Sequence, residues 1–484
     1  MYFRKSFLHP LCLLLLLTSW GQAQDTPMPR RDRTSTDSTS APAPTAVYDN
    51  DPRLNVYRNI VTYGAVGDGT TDNSVALQRA FDAGRAVLIP EGVFNFSATL
   101  TLKKDSLIMG VGRKSILRYI GTGVALREPE GSYTNGYDNL KLLNFTLTTT
   151  TPAQTGIELT NNYQVTLSGL YIDGAFAGFK TAGIHILSAN VAANSAVIRI
   201  VDGEIWGCVG DGIRVSGPAG AAGLWIERNH ITGNAYGVNQ IAPTGAYPAT
   251  NWQIVNNVIE GNLQGGVRAD VLIASSITGN HFENSTNANQ ILVQIGSKGF
   301  AQGLKISNNT FGGQAAHYNI DLNSLADVTG LISGNMFAGA SVAAVRAPIA
   351  RGLRFENNIL EPGTVPTLVM LGPLSRAVWI QDSNHASFTS GASSPAPNLT
   401  LGGRLIVGGA SLNGSGGALE TKTADGSGFA QHTALSFKQS AGPTWTSGAG
   451  APAGSCVTGS LYTRTDGGPN MTLYVCEQGA WKAK

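Results

Sequence analysis

From about residue 138 onward the chain alternates apolar and polar residues in short runs, separated by Gly, Asn and Ser. Six runs carry Asn two residues before a large apolar residue: Asn229-His-Ile, Asn257-Val-Ile, Asn280-His-Phe, Asn309-Thr-Phe, Asn335-Met-Phe and Asn358-Ile-Leu, at spacings of 23 to 29 residues. Looser copies precede them, aligned on Leu147, Ile172 and Ile205. A period of that length filled with β-like runs predicts a solenoid, because one coil cannot bury its own apolar face and must stack on its neighbours. Asn recurring at one place predicts an internal ladder of side-chain amides, a structural device.

Order is expected to begin near Asn55. Val75 to Ala83 has helical spacing behind a capping candidate, Thr71 or Asp72, and reads as one short helix. Ala86-Val-Leu-Ile-Pro-Glu-Gly-Val-Phe follows as a strand and turn. The repeats fade near residue 385. Residues 386–442 are a Gly/Ser-rich β region, and 443–484, with turn signals and Tyr462, Tyr474 and Trp481, read as a small β-module.

Composition narrows the class. The 484 residues include 60 Gly, and only 13% are charged, roughly half the usual charged share. That suits an all-β repeat protein and argues against coiled coil or disorder. Residues 1–23 read as a signal peptide, with Arg4 and Lys5 before an apolar Leu11–Leu17 run and Gly21-Gln22-Ala23 at the cleavage site. Residues 24–54 read as a polar, flexible linker. A secreted or extracytoplasmic protein is expected, with no membrane span. Loss of Arg4 and Lys5 leaves 31 basic against 31 acidic residues, without the basic excess of a nucleic-acid binder. Cys456 and Cys476 lie 20 residues apart in the tail and are expected to form a disulfide in an oxidising compartment. Cys208 is expected to be a small buried hydrophobe.

The stretch Tyr63-Gly-Ala-Val-Gly-Asp-Gly-Thr-Thr-Asp-Asn, with Ala76-Leu-Gln-Arg-Ala-Phe and Val87-Leu-Ile-Pro-Glu-Gly-Val-Phe, resembles the N-terminal cap of the pectate-lyase-like superfamily. With the repeats, the resemblance covers about residues 55–385. It implies a right-handed, single-stranded parallel β-helix with a short capping helix and a small C-terminal β-module. It is shared by rhamnogalacturonase- and polygalacturonase-like hydrolases, lyases, epimerases and phage tailspikes, so it marks fold more than activity. The polygalacturonase signatures (Gly-His-Gly, an Asp-Asp pair, Arg-x-Lys) are missing here. A homotrimer is among the assemblies that the tailspike resemblance implies. Asp68 and Asp72 are expected to hold the glycine-rich turn and cap the helix.

A second repeat element carries the candidate chemistry. Most coils contain an apolar-variable-apolar strand, whose middle residue should face outward. Stacking then sets Glu158, His185, Arg214, Asn239, Arg268, Leu292, Asp321 and Arg346 in one column, with neighbours roughly 4.8 Å apart. Outward solenoid positions are polar in any case, so the order matters more than the polarity. Glu158, His185 and Arg214 fall on three consecutive coils, with Asp211 at the turn entering the third, and could supply acid–base chemistry and hold a sugar carboxylate. Asp270 and Asp321, two coils apart and roughly 10 Å by coil spacing, are the second catalytic candidates, as an inverting pair. Arg214, Asn239, Arg268 and Arg346 are the candidate substrate ligands. Glu227, Glu260 and Glu283 read as solvated coil edges, and Trp206, Trp225 and Trp252 as packing. No cofactor or metal site is required, with Ca2+ an optional ion. The expected function is hydrolysis of an acidic, uronate-containing polysaccharide. A lyase or epimerase, or a non-catalytic glycan-binding or attachment protein, are the alternatives.

Overall fold

Alternation with a period of two builds every coil. In Asp211–Ser216 the side chains of Ile213 and Val215 are buried, while Arg214 and Ser216 reach the surface. In the computed structural model such strands stack in parallel into three long sheets. The structure describes residues 57–381 apart from 84, 129–137, 190–193, 244–248, 285–290, 314–315, 325–326 and five positions between 363 and 376; beyond these it describes isolated strands between 387 and 438, and residues 443–484 apart from 468–471.

The chain visits the sheets in a fixed order, as in Ala221–Glu227, His230–Thr232 and Tyr236–Ile241. Among the described residues the first sheet has 16 strands, the second 12 and the third 12. The fold is a right-handed parallel β-helix, the hand that parallel crossovers adopt. Ile157, Ile184, Ile213, Val238 and Val267 stack inward on the third sheet, and Phe282, Phe311 and Phe337 on the second, with ring centroids 5.1 and 5.0 Å apart.

The Asn ladder is present. The Asn229, Asn257, Asn280 and Asn309 Nδ2 groups each donate to the Oδ1 of the next rung, at 3.1, 2.9, 3.0 and 3.0 Å, and Asn335 donates to Asn358 at 2.9 Å. Each rung also accepts a backbone N–H and donates to a backbone carbonyl, as Asn257 does with Asn229 N and Ile226 O. Buried amides satisfied on all sides fix coil register. A second, shorter ladder links Asn234 Nδ2 to Asn262 Oδ1 at 3.0 Å.

At the N-terminal end the helix Ser74–Ala83 turns Leu77, Ala80 and Phe81 into the core. Asp72 accepts from Ser74 N at 2.9 Å, and Asp68 from Thr70 N and Thr71 N, both at 2.8 Å, so the two aspartates hold the turn and the helix start. Those bonds, led by the backbone N–H of Thr71, hold the Asp68 carboxyl far below its ordinary range.

The solenoid runs beyond the expected end at 385. Ser387–Phe388 pairs with Val369–Leu371 and Leu399–Leu401 with Val378–Gln381, both in parallel, because the Gly/Ser-rich stretch still supplies alternating residues. A three-stranded antiparallel sheet follows (Leu405–Val407, Ala410–Ser415, Ala418–Thr423). A five-stranded sheet then runs from Ser436–Lys438 to Ala480–Ala483. Cys456 and Cys476 are disulfide-bonded, and Cys208 is buried in the core. The expected signal peptide and linker lie outside the described residues. Among the described residues no helix is long and apolar enough to cross a membrane.

Candidate functional site

The third sheet aligns the expected column with one exception. Backbone register pairs Glu158 with His185, His185 with Arg214, Arg214 with Asn239 and Asn239 with Arg268. Arg268 then meets Gln294, not Leu292, before Asp321 and Arg346. Leu292 is buried at 1% exposure. The coil holds two inward candidates, Leu292 and Val293, and Val293 takes the place opposite Val267, which moves the outward position on to Gln294. The column also extends below Glu158 to Arg127, which sequence spacing did not reveal.

The carboxylates of this face are enclosed, which corrects their expected outward exposure. Asp211 lies in the strand, not in the turn before it, and is 1% exposed; Asp270 and Asp321 are both fully buried. Each is neutralised on the spot. Arg214 Nε donates to Asp211 at 2.7 Å and the Asn239 amide at 3.0 Å. Asp270 accepts from Arg268 at 2.7 Å and Ser297 at 2.6 Å, with Lys298 at 3.2 Å. Arg346 grips Asp321 with two bonds, at 2.8 and 2.9 Å. Burial pushes the Asp211 and Asp321 carboxyls up, against the pull of Arg214 and Arg346. Asn239 is buried too. Coils stacked this closely let adjacent side chains satisfy one another instead of facing water.

Glu158 and His185 form the more open end. Arg127 Nε donates to Glu158 Oε1 at 2.8 Å, and His185 Nδ1, which makes no hydrogen bond, lies at an ion-pair separation of 3.5 Å from Glu158 Oε2. His185 and then Arg127 hold the Glu158 carboxyl below its ordinary range despite burial. His185 Nε2 is 2.8 Å from Ser216 Oγ.

The second sheet carries a different set, which the sequence had suggested only as coil edges and packing. Its outward positions pair Tyr171 with Glu204 and Asp173 with Trp206, then Glu204 with His230 and Thr232 with Glu260, and Val258 with His281 and Glu260 with Glu283. A groove of about 420 Å³ runs along its edge, lined by Arg113, Tyr171, Glu204, Arg228, His230 and Val258 among others. Arg113 forms an ion pair with Glu204 and stacks over the Tyr171 ring, 4.4 Å from its centroid. His230 Nδ1 lies 3.6 Å from Glu204, and its Nε2 is 3.0 Å from Glu260.

Asp173 behaves differently from Glu204. Burial chiefly, with the nearby Glu204 charge, raises its carboxyl above the ordinary range, even though Ala175 N donates to it at 2.7 Å. Phe176 lies just beyond, 60% exposed, in edge-on contact with Trp206 at 4.9 Å. Ala175 and Phe176 both hold left-handed φ, 50° and 55°, a costly conformation outside Gly that tends to mark functional turns. Gly233 makes room for the ring: a Cβ there would come within 3.1 Å of Phe176. Farther along, Glu260, His281 and Glu283 place ligand atoms within 4.8 Å of one another, the group best arranged to take a metal ion among the described residues. Of the other tryptophans, Trp252 is fully buried with its indole N–H on Ala221 O at 2.9 Å, and Trp225 lies under Arg199.

A family model described as rhamnogalacturonase A/epimerase, pectate lyase-like, matches residues 57–268. The match spans under half of the chain and shows a resemblance to that family. The matched span includes Asp173, Glu204, Glu158, His185 and Ser216. The preneck appendage protein of Bacillus phage PZA is 34% identical over 93 residues, 18% of this chain, and the match spans only 11% of the phage protein's length. Among solved structures, a DFA-IIIase from Arthrobacter chlorophenolicus is 13% identical with a TM-score of 0.50, covering 69% of this chain and 97% of that one. The mannuronan C-5 epimerase A-module of Azotobacter vinelandii is 16% identical with a TM-score of 0.47, covering 72% of this chain and 100% of the module. These likenesses are in fold.

The solenoid therefore offers two faces. One signal for the second face was legible in sequence: the residue just after each ladder Asn, or just before the next apolar residue, is His or Glu in several coils (Glu204, His230, His281). The same short motif serves both ladder and surface, so the outward residue is masked by the Asn beside it.

Proposed function

We propose that the protein is a polysaccharide-active enzyme that hydrolyses glycosidic bonds on its second sheet, with Asp173 as general acid and Glu204 as general base. The observation that carries this reading is the contrast between two carboxyls on adjacent coils. Burial favours the protonated form of Asp173, while Glu204 is met by two basic side chains, Arg113 and, at 3.6 Å, His230. Environments that separate two carboxyls in this way assign acid and base roles. Their places are one coil apart and two residues apart along the strand, roughly 8 Å from the coil and strand spacings, within the span of about 6.5–9.5 Å that leaves room for a water. Tyr171, Trp206 and Phe176 supply apolar faces on which sugar rings stack.

The groove and its surroundings set Asp173, Asp202, Glu204, Glu260 and Glu283 against Arg113 and Arg228. That acidic balance fits a neutral glycan better than the uronate polymer expected from the arginine column, whose cations are already matched by Asp211, Asp270 and Asp321. Export to an oxidising compartment accords with the Cys456–Cys476 disulfide.

The test is a screen of purified protein against neutral and uronate polysaccharides, following reducing ends and, separately, the ultraviolet absorbance of unsaturated uronate products. Reducing ends from a neutral glycan, lost in Glu204→Gln, support the assignment. Cleavage of a uronate polymer that is indifferent to Glu204→Gln, or silence from folded protein across the panel, overturns it.

A further inference from the structure

We propose that Ser216, His185 and Glu158 on the third sheet form a second catalytic site, a hydroxyl–imidazole–carboxylate relay that hydrolyses small acyl esters such as those carried on sugar hydroxyls. It shares no residue with the glycosidic site proposed on the second sheet. Three consecutive coils deliver the parts: Thr155–Thr160 carries Glu158, Ala182–Leu187 carries His185, and Asp211–Ser216 ends on Ser216. Register stacks His185 on Glu158 and Leu187 under Ser216, so the hydroxyl reaches back diagonally to the imidazole.

The contacts set the proton positions. Glu158 is held ionised by His185 and Arg127, so it can only accept. Arg127 takes its Oε1 at 2.8 Å, which leaves Oε2 facing His185 Nδ1 at 3.5 Å. His185 Nδ1 makes no hydrogen bond in this structure, so it is the Glu158 charge 3.5 Å away that favours the neutral tautomer with its hydrogen on Nδ1; in that tautomer Nε2 accepts the Ser216 hydroxyl at 2.8 Å. A nucleophile bonded to a base, and a base oriented by a third group, is the arrangement that activates serine. His185 is only 9% exposed and Ser216 half-buried, so a small acyl group reaches the oxygen where a bulky one does not.

The reaction balances with water alone. Ser216 Oγ attacks the acyl carbon and its proton passes to His185 Nε2. The bond to the sugar oxygen breaks, that oxygen takes the proton from His185, and the acyl group stays on Ser216. Water then attacks the acyl carbon and gives a proton to His185, and the carboxylic acid leaves as Ser216 Oγ recovers its proton. Arg214 lies on the same outward face two residues before Ser216, its Nε held by Asp211 at 2.7 Å. Its remaining N–H groups are the charged donors in that strand for the developing oxyanion.

The experiment uses the whole chain with p-nitrophenyl acetate and an acetylated polysaccharide as substrates and a fluorophosphonate as covalent probe, with the adduct located by peptide mass spectrometry. The expected result is a single adduct on Ser216. Ser216→Ala should lose the adduct and about 10²-fold or more of the ester hydrolysis, keep the wild-type melting temperature, and still cut glycosidic bonds if the second-sheet site is as proposed. Glu158→Gln should still be labelled, more slowly. Folded wild-type protein that takes no label at Ser216, or Ser216→Ala that hydrolyses the ester as fast as wild type, overturns the proposal. Neither outcome bears on the glycosidic site, which is read by Glu204→Gln.

Discussion

The second and third sheets of one solenoid face solvent with comparable sets of charged residues and use them in opposite ways. On the third sheet Asp211, Asp270 and Asp321 are buried, each against an arginine from its own strand or the next coil. On the second sheet Glu204, Glu260 and Glu283 meet imidazoles, whereas Asp173 forms no ion pair among the described residues and is shifted chiefly by burial. A buried, arginine-matched carboxylate is costly to disturb and has no free lone pair for a substrate. A half-exposed carboxyl with a shifted proton affinity has both access and a reason to exchange protons. The paired aspartates of the column and the carboxyls of the groove therefore differ in kind: the first are locked to arginines that hold neighbouring coils in register, and the second keep access to solvent.

The largest expected effect is on the column. Arg346→Ala strands a fully buried Asp321, and breaking such a pair costs about 3–5 kcal/mol. The denaturant midpoint should fall accordingly. Replacing both partners with Leu should recover much of the loss, since the pair itself contributes little net stability once its desolvation is counted. A single variant with an unchanged midpoint would mean that the column's pairs do not hold the coils.

The next effect is catalytic. Glu204→Gln should lower kcat by about 10²–10⁴-fold, the usual contribution of a positioned base, while leaving the melting temperature within a degree or so of wild type, because its ion pair with the largely exposed Arg113 contributes little to stability. The sharper form of the comparison is the reciprocal: Arg346→Ala loses stability first, and Glu204→Gln loses turnover first. A Glu204→Gln protein that unfolds instead would place that ion pair with the column.

How much of this was legible in sequence follows from what sets each feature. The solenoid, the Asn229 to Asn358 ladder and the Asp68 and Asp72 turn follow from local spacing, because backbone periodicity and capping are decided by neighbours in the chain. The third-sheet column was legible to one coil, and failed at Leu292 because two adjacent apolar residues left the inward position open until stacking on Val267 settled it. The burial of Asp270 was beyond reach: Lys298, from another coil, and Ser297 close over it. The second-sheet groove needed Arg113 to reach Glu204 across 91 residues, a contact that no local pattern encodes.

A smaller effect tests the aromatic platform. Phe176→Ala should raise KM by about 5- to 10-fold, the loss of roughly 1 kcal/mol of ring stacking, with kcat nearly unchanged, because the phenyl ring is exposed and touches Trp206 but none of the reacting groups. A matching fall in kcat would mean that the ring positions Trp206 or Asp173 for the chemical step.

The smallest effect is the most diagnostic, because it separates stability from function at a single atom. Asp173 has a folded-state proton affinity above its ordinary value of 3.8, chiefly through burial. Folding therefore favours its protonated form, and its contribution to stability is fullest below that ordinary value and is lost as pH rises through the folded value. Asp173→Asn removes a charge that burial penalises, so at neutral pH the variant should melt slightly higher than wild type, by about one degree, since solvent screens a half-exposed group. In acid, where wild-type Asp173 is already protonated, the gain should vanish. Hydrolysis should collapse in the same variant, because an amide cannot supply the proton to the leaving oxygen. In wild type the activity should fall on the alkaline side as Asp173 ionises. Thermal melts of both proteins at neutral and acid pH decide the matter: equal gains at both would remove burial as the cause of the Asp173 shift, and with it the contrast that assigns the acid and the base.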